Sequence, residues 1–438
     1  MSIDAKYRVP TVALHTQMFL AVTKSVVRVN GMPLMRQVYI PHPIMGKTPA
    51  QMRAYIDGVS PVSGRPVMQD VIDGLTCALS DDDQRGLTFE RSTPRLCDPA
   101  GEDALTQLFL DNDWTDKLPI VLPTEERVAA MLGGTSHTPE EIVGRMSPTH
   151  GREAWQYTVE KVAVNAVMAG ARLEYFPVIL ALAAAGVSAR GSSTSSMASM
   201  AVVNGPVRTE IAMNAGIGAM GPYNHANATI GRAFGLLSQN LQGGSVPGHT
   251  YMGSQGNGYA YNSLTFAENE ERSPWGPLHV QRGNRAEESV VTVFGGCQST
   301  AFTLGLRRYH WREHVRNMLR GLDPNGAATL LLDPIAARLF IDIAGLQTKQ
   351  QLIDWVYENA CMPAGEYWDY QLVQNYKYPR ATFGEEPYAT KLKAAPEQGI
   401  PMFTREEINV VVVGGETNGY WRIMGAGLRN SASIDAWR

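Results

Sequence analysis

Short apolar runs divided by glycine- and proline-rich turns set the rhythm of the chain from about residue 118 onward. Residues 118–122, 290–294, 329–332 and 409–413 are four or five residues long and rich in aliphatic side chains, so they predict buried strands. A turn of small or polar residues follows each run: Pro123-Thr124-Glu125-Glu126-Arg127, Gly295-Gly296-Cys297-Gln298-Ser299-Thr300, Asp333-Pro334 and Gly414-Gly415-Glu416-Thr417-Asn418. Helical spacing behind the first three predicts an amphipathic helix after Thr124, a helix from the Cys297 turn to about Arg320, and one over 335–343. Residues 159–170 and 173–185 predict two further helices, apolar around the whole wheel and therefore buried on all sides. Strands alternating with helices give the fold class α/β, a mainly parallel sheet with flanking helices. In such a sheet ligands sit beyond the carboxyl ends of the strands, where these turns converge.

Residues 1–100 read differently, as a β-containing N-terminal extension with strands at 26–29 and 36–40 and one short helix. Thr48-Pro49-Ala50-Gln51 announces that helix, with a capping threonine, proline in the first turn and glutamine three residues on. The polar, acid-containing stretch 80–101 marks the boundary, leaving 101–438 as the main domain.

Charge then narrows the partners. The chain has 38 basic and 42 acidic residues, a net charge of -4 and no basic stripe, which excludes nucleic acid as a partner. The most apolar stretch, 175–189, is 15 residues long and interrupted by Pro177 and Gly186, too short to span a membrane. Cys77, Cys97, Cys297 and Cys361 form no CxxC pair and no zinc spacing, and the first residues hold no apolar secretory core. A cytoplasmic chain with reduced thiols is expected, and nothing in the sequence points to a particular cofactor or metal. His310-Trp-Arg-Glu313-His314 matches a zinc-type spacing, but Arg307, Arg308, Arg312, Arg316 and Arg320 surround it and disfavour a dication.

Only 18% of residues are charged, against about 25% in a usual soluble domain. The shortage is local: within 191–267, a run of 77 residues, the charged side chains are Arg208, Glu210 and Arg232. The run holds too many aliphatic and aromatic residues for a linker, which predicts a folded block shielded from water as a small-molecule pocket, the interface of a homo-oligomer, or both. Its densest polar groups are Ser192–Ser196, Asn224-His225-Ala226-Asn227 and 257–262. Gly216-Ile-Gly218-Ala-Met-Gly221 has the GxGxxG spacing but no acid about 20 residues on, so it reads as close packing ahead of a helix near Asn224 rather than a dinucleotide site.

Three residues carry the candidate chemistry. Cys297, expected at a helix N-terminus beside Gly295-Gly296, is a candidate nucleophile or redox thiolate. His225 and Glu416 are the candidate acid and base. Ser193, Thr194, Asn224, Asn227, Thr300, Asn418, Arg127 and Asp333 are the candidate substrate-orienting groups, Asp333 also having the position of a helix cap.

Arg36-Gln-Val-Tyr-Ile-Pro-His-Pro43 with Gly46-Lys-Thr48, residues 118–132, Val159-Glu-Lys-Val-Ala-Val-Asn165 with Tyr175-Phe-Pro177, and residues 414–421 together resemble the UGSC-like family of bacterial proteins. The resemblance runs along nearly the whole chain and implies a soluble bacterial protein. Relatives in that family carry a selenocysteine-Gly-Ser-Cys motif, from which a thiol redox role has been supposed; this chain has no Cys-Gly-Ser-Cys, so the resemblance carries no redox chemistry across.

Three functions fit these observations. The first is an enzyme acting on a small polar or anionic organic molecule through Cys297. The second is a cofactor-free lyase, hydratase or hydrolase using acid-base residues alone. The third is a non-catalytic structural or ligand-binding subunit of a complex.

Overall fold

In the computed structural model every residue is described except 1–3, 5–6, 30–31, 33, 45, 82–93, 146–155, 192–196, 244–254 and 298. The chain divides into two compact units, one centred on Met1–Ala100 and the other made of Gly101–Met146, Gln156–Ser245 and Gly253–Arg438.

In the first unit β1 (Ala13–Thr16), α1 (Leu20–Val29) and β2 (Gln37–Ile40) make a crossover in which the two strands pair in parallel. Residues 26–29, expected as a strand, end α1 instead: parallel neighbours need a connection that returns the chain, and the helix supplies it. In α2 (Pro49–Asp57) the capping box forms, the Gln51 N–H donating to Thr48 Oγ1 at 3.3 Å and the Thr48 N–H to Gln51 Oε1 at 3.0 Å. Val67, which opens α3 (Val67–Thr76), packs with Val38 and Ile40 as a small core.

The second unit runs through α4 (Glu125–Leu132), α5 (Val159–Met168), α6 (Phe176–Ala184), β3 (Ser199–Asn204), α7 (His225–Asn240), β4 (Thr265–Ala267) and β5 (Val290–Gly295). It continues with β6 (Thr300–Leu304), α8 (Trp311–Leu319), β7 (Ala328–Leu332), α9 (Pro334–Asp342), α10 (Lys349–Asn359), β8 (Ile408–Val412), β9 (Tyr420–Met424) and β10 (Gly427–Ser433). Two four-stranded sheets result, in the orders β10-β5-β3-β4 and β8-β7-β9-β6. Within them β3 and β4 are parallel, as are β7 and β8, and the other neighbours are antiparallel. The α/β class stands, with small mixed sheets in place of a mainly parallel one. A strand buried on both faces shows the same unbroken apolar run whichever way its neighbours point, so the run predicts burial and not direction.

Alternation along the strands sorts the side chains into layers. Ala201, Val203, Val291 and Val293 face a core shared with α5, α6 and α7. Met200, Val202, Phe266 and Phe294, on the opposite face, join Leu331, Val411, Val413 and Met424 of the second sheet. Leu330, Leu332, Val410, Val412 and Ile423 turn away toward α8, α9 and α10. The unit is thus a helix–sheet–sheet–helix sandwich. The charge-poor segment contributes β3 and β4, buried at every residue, and the largely buried α7, which is why it tolerates so few charges.

Two expected elements differ. Residues 118–122 form no strand, and the chain after Cys297 crosses to the second sheet as β6 before the helix begins at Trp311. His314, the last residue of the zinc-type spacing, is buried with its ring edge-on to Trp421 and Nε2 3.0 Å from Thr303 Oγ1. Burial, reinforced by the Arg307 charge, pushes its pKa down.

Candidate ligand cavity

The turns after β7 and β8 meet the glycine-rich loop ahead of α7 and enclose a cavity of about 480 Å³. Its wall combines Ile217–Gly221, Tyr259 and Leu264 with Asp333, Val413–Gly415, Thr417 and the strand residues Phe302, Leu331 and Tyr420–Arg422.

Local chemistry explains how each part is held. Asn224 caps α7, its Oδ1 accepting from the Asn227 N–H at 3.1 Å and its Nδ2 donating to the Ala212 carbonyl at 2.9 Å. Buried Asn227 clamps the loop, accepting from the Asn214 N–H at 3.1 Å and donating to the carbonyls of Asn214 and Ala219 at 2.9 and 3.1 Å. Glycine is required where the loop meets the second turn: a Cβ on Gly415 would lie 2.1 Å from Ile217 Cγ1. The Gly414 N–H donates to the Ala215 carbonyl at 2.9 Å and fastens the two turns together.

A buried ionic brace fixes the sheets behind the cavity. Glu268, just past β4, accepts from Lys349 Nζ at 2.7 Å, Asn204 Nδ2 at 2.6 Å, the Leu278 N–H at 2.7 Å and the Val412 N–H at 3.4 Å. Its neighbour Asn269 donates from the backbone to the Val412 carbonyl at 2.8 Å and from Nδ2 to the Gly414 carbonyl at 2.9 Å. Burial pushes the Glu268 carboxyl up, but the Lys349 ammonium and these donors outweigh it and hold the pKa below the usual carboxylate range.

The expected site residues scatter around this geometry. Asp333 lines the cavity, yet both its oxygens are engaged, Oδ1 by the Ala336 N–H at 2.7 Å and Oδ2 by the Tyr420 N–H at 2.6 Å. Glu416 lies outside the wall that Gly414, Gly415 and Thr417 form, ion-paired with Arg338 and, at 3.7 Å, with Arg272. Asn418 and Thr300 are exposed and also outside the wall. His225, the exposed first residue of α7, sets its ring 5.8 Å from that of Tyr175. Arg127, exposed on α4, donates to the Leu122 carbonyl at 3.0 Å. Ser193 and Thr194 lie outside the described residues.

Cys297 occupies no helix N-terminus. It sits in the turn between the sheets, its N–H donating to the Ala198 carbonyl at 3.1 Å and its own carbonyl accepting from Asn257 Nδ2 at 2.8 Å. The thiol is fully buried in the inter-sheet core, and burial pushes its pKa up to about 12. A thiolate is therefore strongly disfavoured in this conformation.

Sequence reasoning missed the cation of the site. Arg422, on β9, lines the cavity with its guanidinium carbon 5.5 Å from the centre of the Phe302 ring, and Phe302 stacks on Tyr420 at 5.7 Å. Among the described residues the Arg422 side chain forms no hydrogen bond or ion pair with a protein group, and the N–H groups of Gly218 and Gly415 are unpaired as well. The only signal in the sequence is one arginine in an otherwise uncharged strand, Tyr420-Trp-Arg-Ile-Met424. A second cavity, of about 460 Å³, has its arginines engaged, Arg405 by Asp354 at 3.0 Å and Arg282 by Asn409 at 2.5 Å. Among the described residues no group of three or more histidine, cysteine or acidic side chains is arranged to hold a metal ion, and no helix is long and apolar enough to cross a membrane.

Compared with protein-family models and with curated proteins, the chain matches none.

Proposed function

We propose that the cavity binds a small organic anion, with the acid group at Arg422 and a planar or apolar body against Phe302, Tyr259 and Tyr420. The observation that carries this reading is Arg422 itself, a cation in a cavity wall with no anion among the described residues to neutralise it. A guanidinium offers a planar fork matched to a carboxylate or phosphate, and the ring of Phe302 beneath it leaves that fork open to a ligand.

Of the catalytic schemes open to the sequence, acid-base chemistry draws more support than a covalent thiol step, because the Cys297 thiol is buried and held protonated. Side chains in the wall that can carry a proton are Tyr259, Tyr420, Thr417 and Asp333, and the last spends both oxygens on backbone donors. Kinship with the UGSC-like family, and with it a bacterial cytoplasmic source, is part of the same proposal and rests on the segments quoted above.

A thermal-shift panel of matched carboxylates and their carboxamides tests the reading. Carboxylates are expected to raise the melting temperature of the wild type and their amides to leave it unchanged. Loss of charge-assisted hydrogen bonds worth about 1.5–3 kcal/mol in Arg422→Gln weakens Kd roughly 10- to 150-fold. Equal shifts from acid and amide, or unchanged binding by Arg422→Gln, would overturn it.

A further inference from the structure

The strand β6 ends the second sheet, and among the described residues no strand pairs with its outer edge. Its sequence, Thr-Ala-Phe-Thr-Leu, has none of the devices that protect an edge: no charge, no proline and no bulge in its register with β9. The Gly305 N–H donates to the Gly419 carbonyl at 2.8 Å in continuation of that register. Hydrogen-bonded pairs alternate along an antiparallel ladder, so Thr303 and Ala301 spend their backbone groups on β9, while those of Thr300, Phe302 and Leu304 point outward. The free donors and acceptors are thus spaced symmetrically about Phe302.

The side chains on the same face are apolar and exposed. Leu304 and Phe302 are 54% and 57% exposed, and Tyr420, stacked on Phe302, 40%. Across the cavity mouth Ile217 is 75% and Tyr223 80% exposed, the first against Gly415 and the second against Gly218 and Gly221. Together these five side chains leave apolar surface on the order of 600 Å² exposed around the cavity mouth, the size of the largest patch on a usual monomer. One side of a standard interface takes about 800 Å².

We propose that β6 pairs with β6 of a second copy about a twofold axis at Phe302, joining two four-stranded sheets into one of eight. Antiparallel pairing about that point sets Phe302 of one copy opposite Phe302 of the other and Thr300 opposite Leu304, so every outward N–H and carbonyl of the strand finds a partner. A second copy fits better than a charged partner strand because the edge is self-complementary: it carries no charge along its length, so its own Phe302, and Leu304 against Thr300, meet with no charge left opposed. The stacked Phe302 and Tyr420 of each copy then meet at the dyad, beside the mouth of each cavity, and remove from water the apolar surface that a monomer leaves open. The pairing needs no ligand, so its failure would leave the anion site untouched.

Sedimentation equilibrium of the full chain is the test. The wild type is expected to run as a dimer of twice 47.9 kDa. Leu304→Lys, which places a charge on an exposed position of the edge, is expected to raise the dimer dissociation constant at least 100-fold while circular dichroism stays native. Phe302→Cys, in a chain with Cys77 and Cys97 changed to serine, is expected to cross-link to itself with a short bis-maleimide, since facing residues of a hydrogen-bonded pair lie about 5.5 Å apart at Cα. A wild type that stays monomeric at 100 μM (~100 μM being ample for an interface of standard size), a folded Leu304→Lys chain that dimerises unchanged, or a Phe302→Cys dimer without the cross-link overturns the proposal.

Discussion

Replacing Lys349 by methionine removes the ammonium of the buried pair and keeps nearly the same volume. The Glu268 carboxylate then retains the Leu278 N–H at 2.7 Å, Asn204 Nδ2 at 2.6 Å and the distant Val412 N–H at 3.4 Å, all neutral donors in a site closed to water. Stranding a buried charge in this way costs about 3–5 kcal/mol. The dependence on pH carries a definite sign. In the wild type the folded-state carboxyl pKa lies below the unfolded one, near 4.3, so its stabilisation is present above that value and lost as pH falls through the folded pKa. Without Lys349 burial dominates, the folded pKa rises above 4.3, and the penalty is present at neutral pH and fades as the carboxyl takes up a proton. The deficit of Lys349→Met is therefore expected to be largest at pH 7 and clearly smaller by about pH 4.5. Urea unfolding followed by tryptophan fluorescence reads the right unit, because seven of the eight tryptophans belong to it. A deficit under about 1 kcal/mol at pH 7, or one that does not change between the two pH values, would mean that Lys349 does not neutralise a buried Glu268 charge.

Two further outcomes follow from buried titratable groups. A maleimide at pH 8 is expected to label exposed Cys77 and Cys97 in the native chain and to reach Cys297 only after unfolding, as peptide mass spectrometry will show; Cys297→Ala should leave anion binding within about twofold. Lys391 is almost fully buried with its ammonium over the Tyr367 ring at 4.8 Å, and burial with the nearby Lys377 charge pulls its pKa down to about 8. The unfolded chain thus binds more protons between about pH 8 and 10.4, and the wild type should gain up to about 3 kcal/mol across that window, less what the ring returns to the cation. Lys391→Met should lack that gain and be no less stable than the wild type at pH 7, measured by urea unfolding at both ends.

What the sequence made legible is governed by local rules. The capping box at Thr48 and the caps at Thr124 and Asp333 form where side-chain chemistry placed them, because a cap depends on three or four consecutive residues. The runs at 290–294, 329–332 and 409–413 are strands, since burial on two faces leaves no polar alternation to mistake. What stayed hidden depends on partners distant in the chain. Nothing within 420–424 distinguishes an antiparallel strand between β7 and β6 from a parallel one. Thr300–Leu304 has period-two burial over only five residues, and the apolar spacing of Trp311, Val315 and Met318 extends backward over it as a helix. Cys297 misled because two glycines before a small polar turn look like a helix start; here Gly296, at a φ of +93°, lets the chain cross from one sheet to the other. Arg422 went unseen because its meaning lies in having no partner among the described residues, which only the assembled wall reveals.

If the cavity is an anion site, Arg422 holds the acid group of its ligand between the two sheets. A crystal of the full chain soaked with a bromo-substituted aromatic carboxylate, taken from the strongest hits of the thermal-shift panel, locates that group directly through the anomalous signal. The carboxylate is expected within hydrogen-bond reach, about 2.7–3.0 Å, of the Arg422 guanidinium, with the ring beside Phe302 and Tyr420. A ligand bound at full occupancy elsewhere, with the cavity filled only by water, would contradict it.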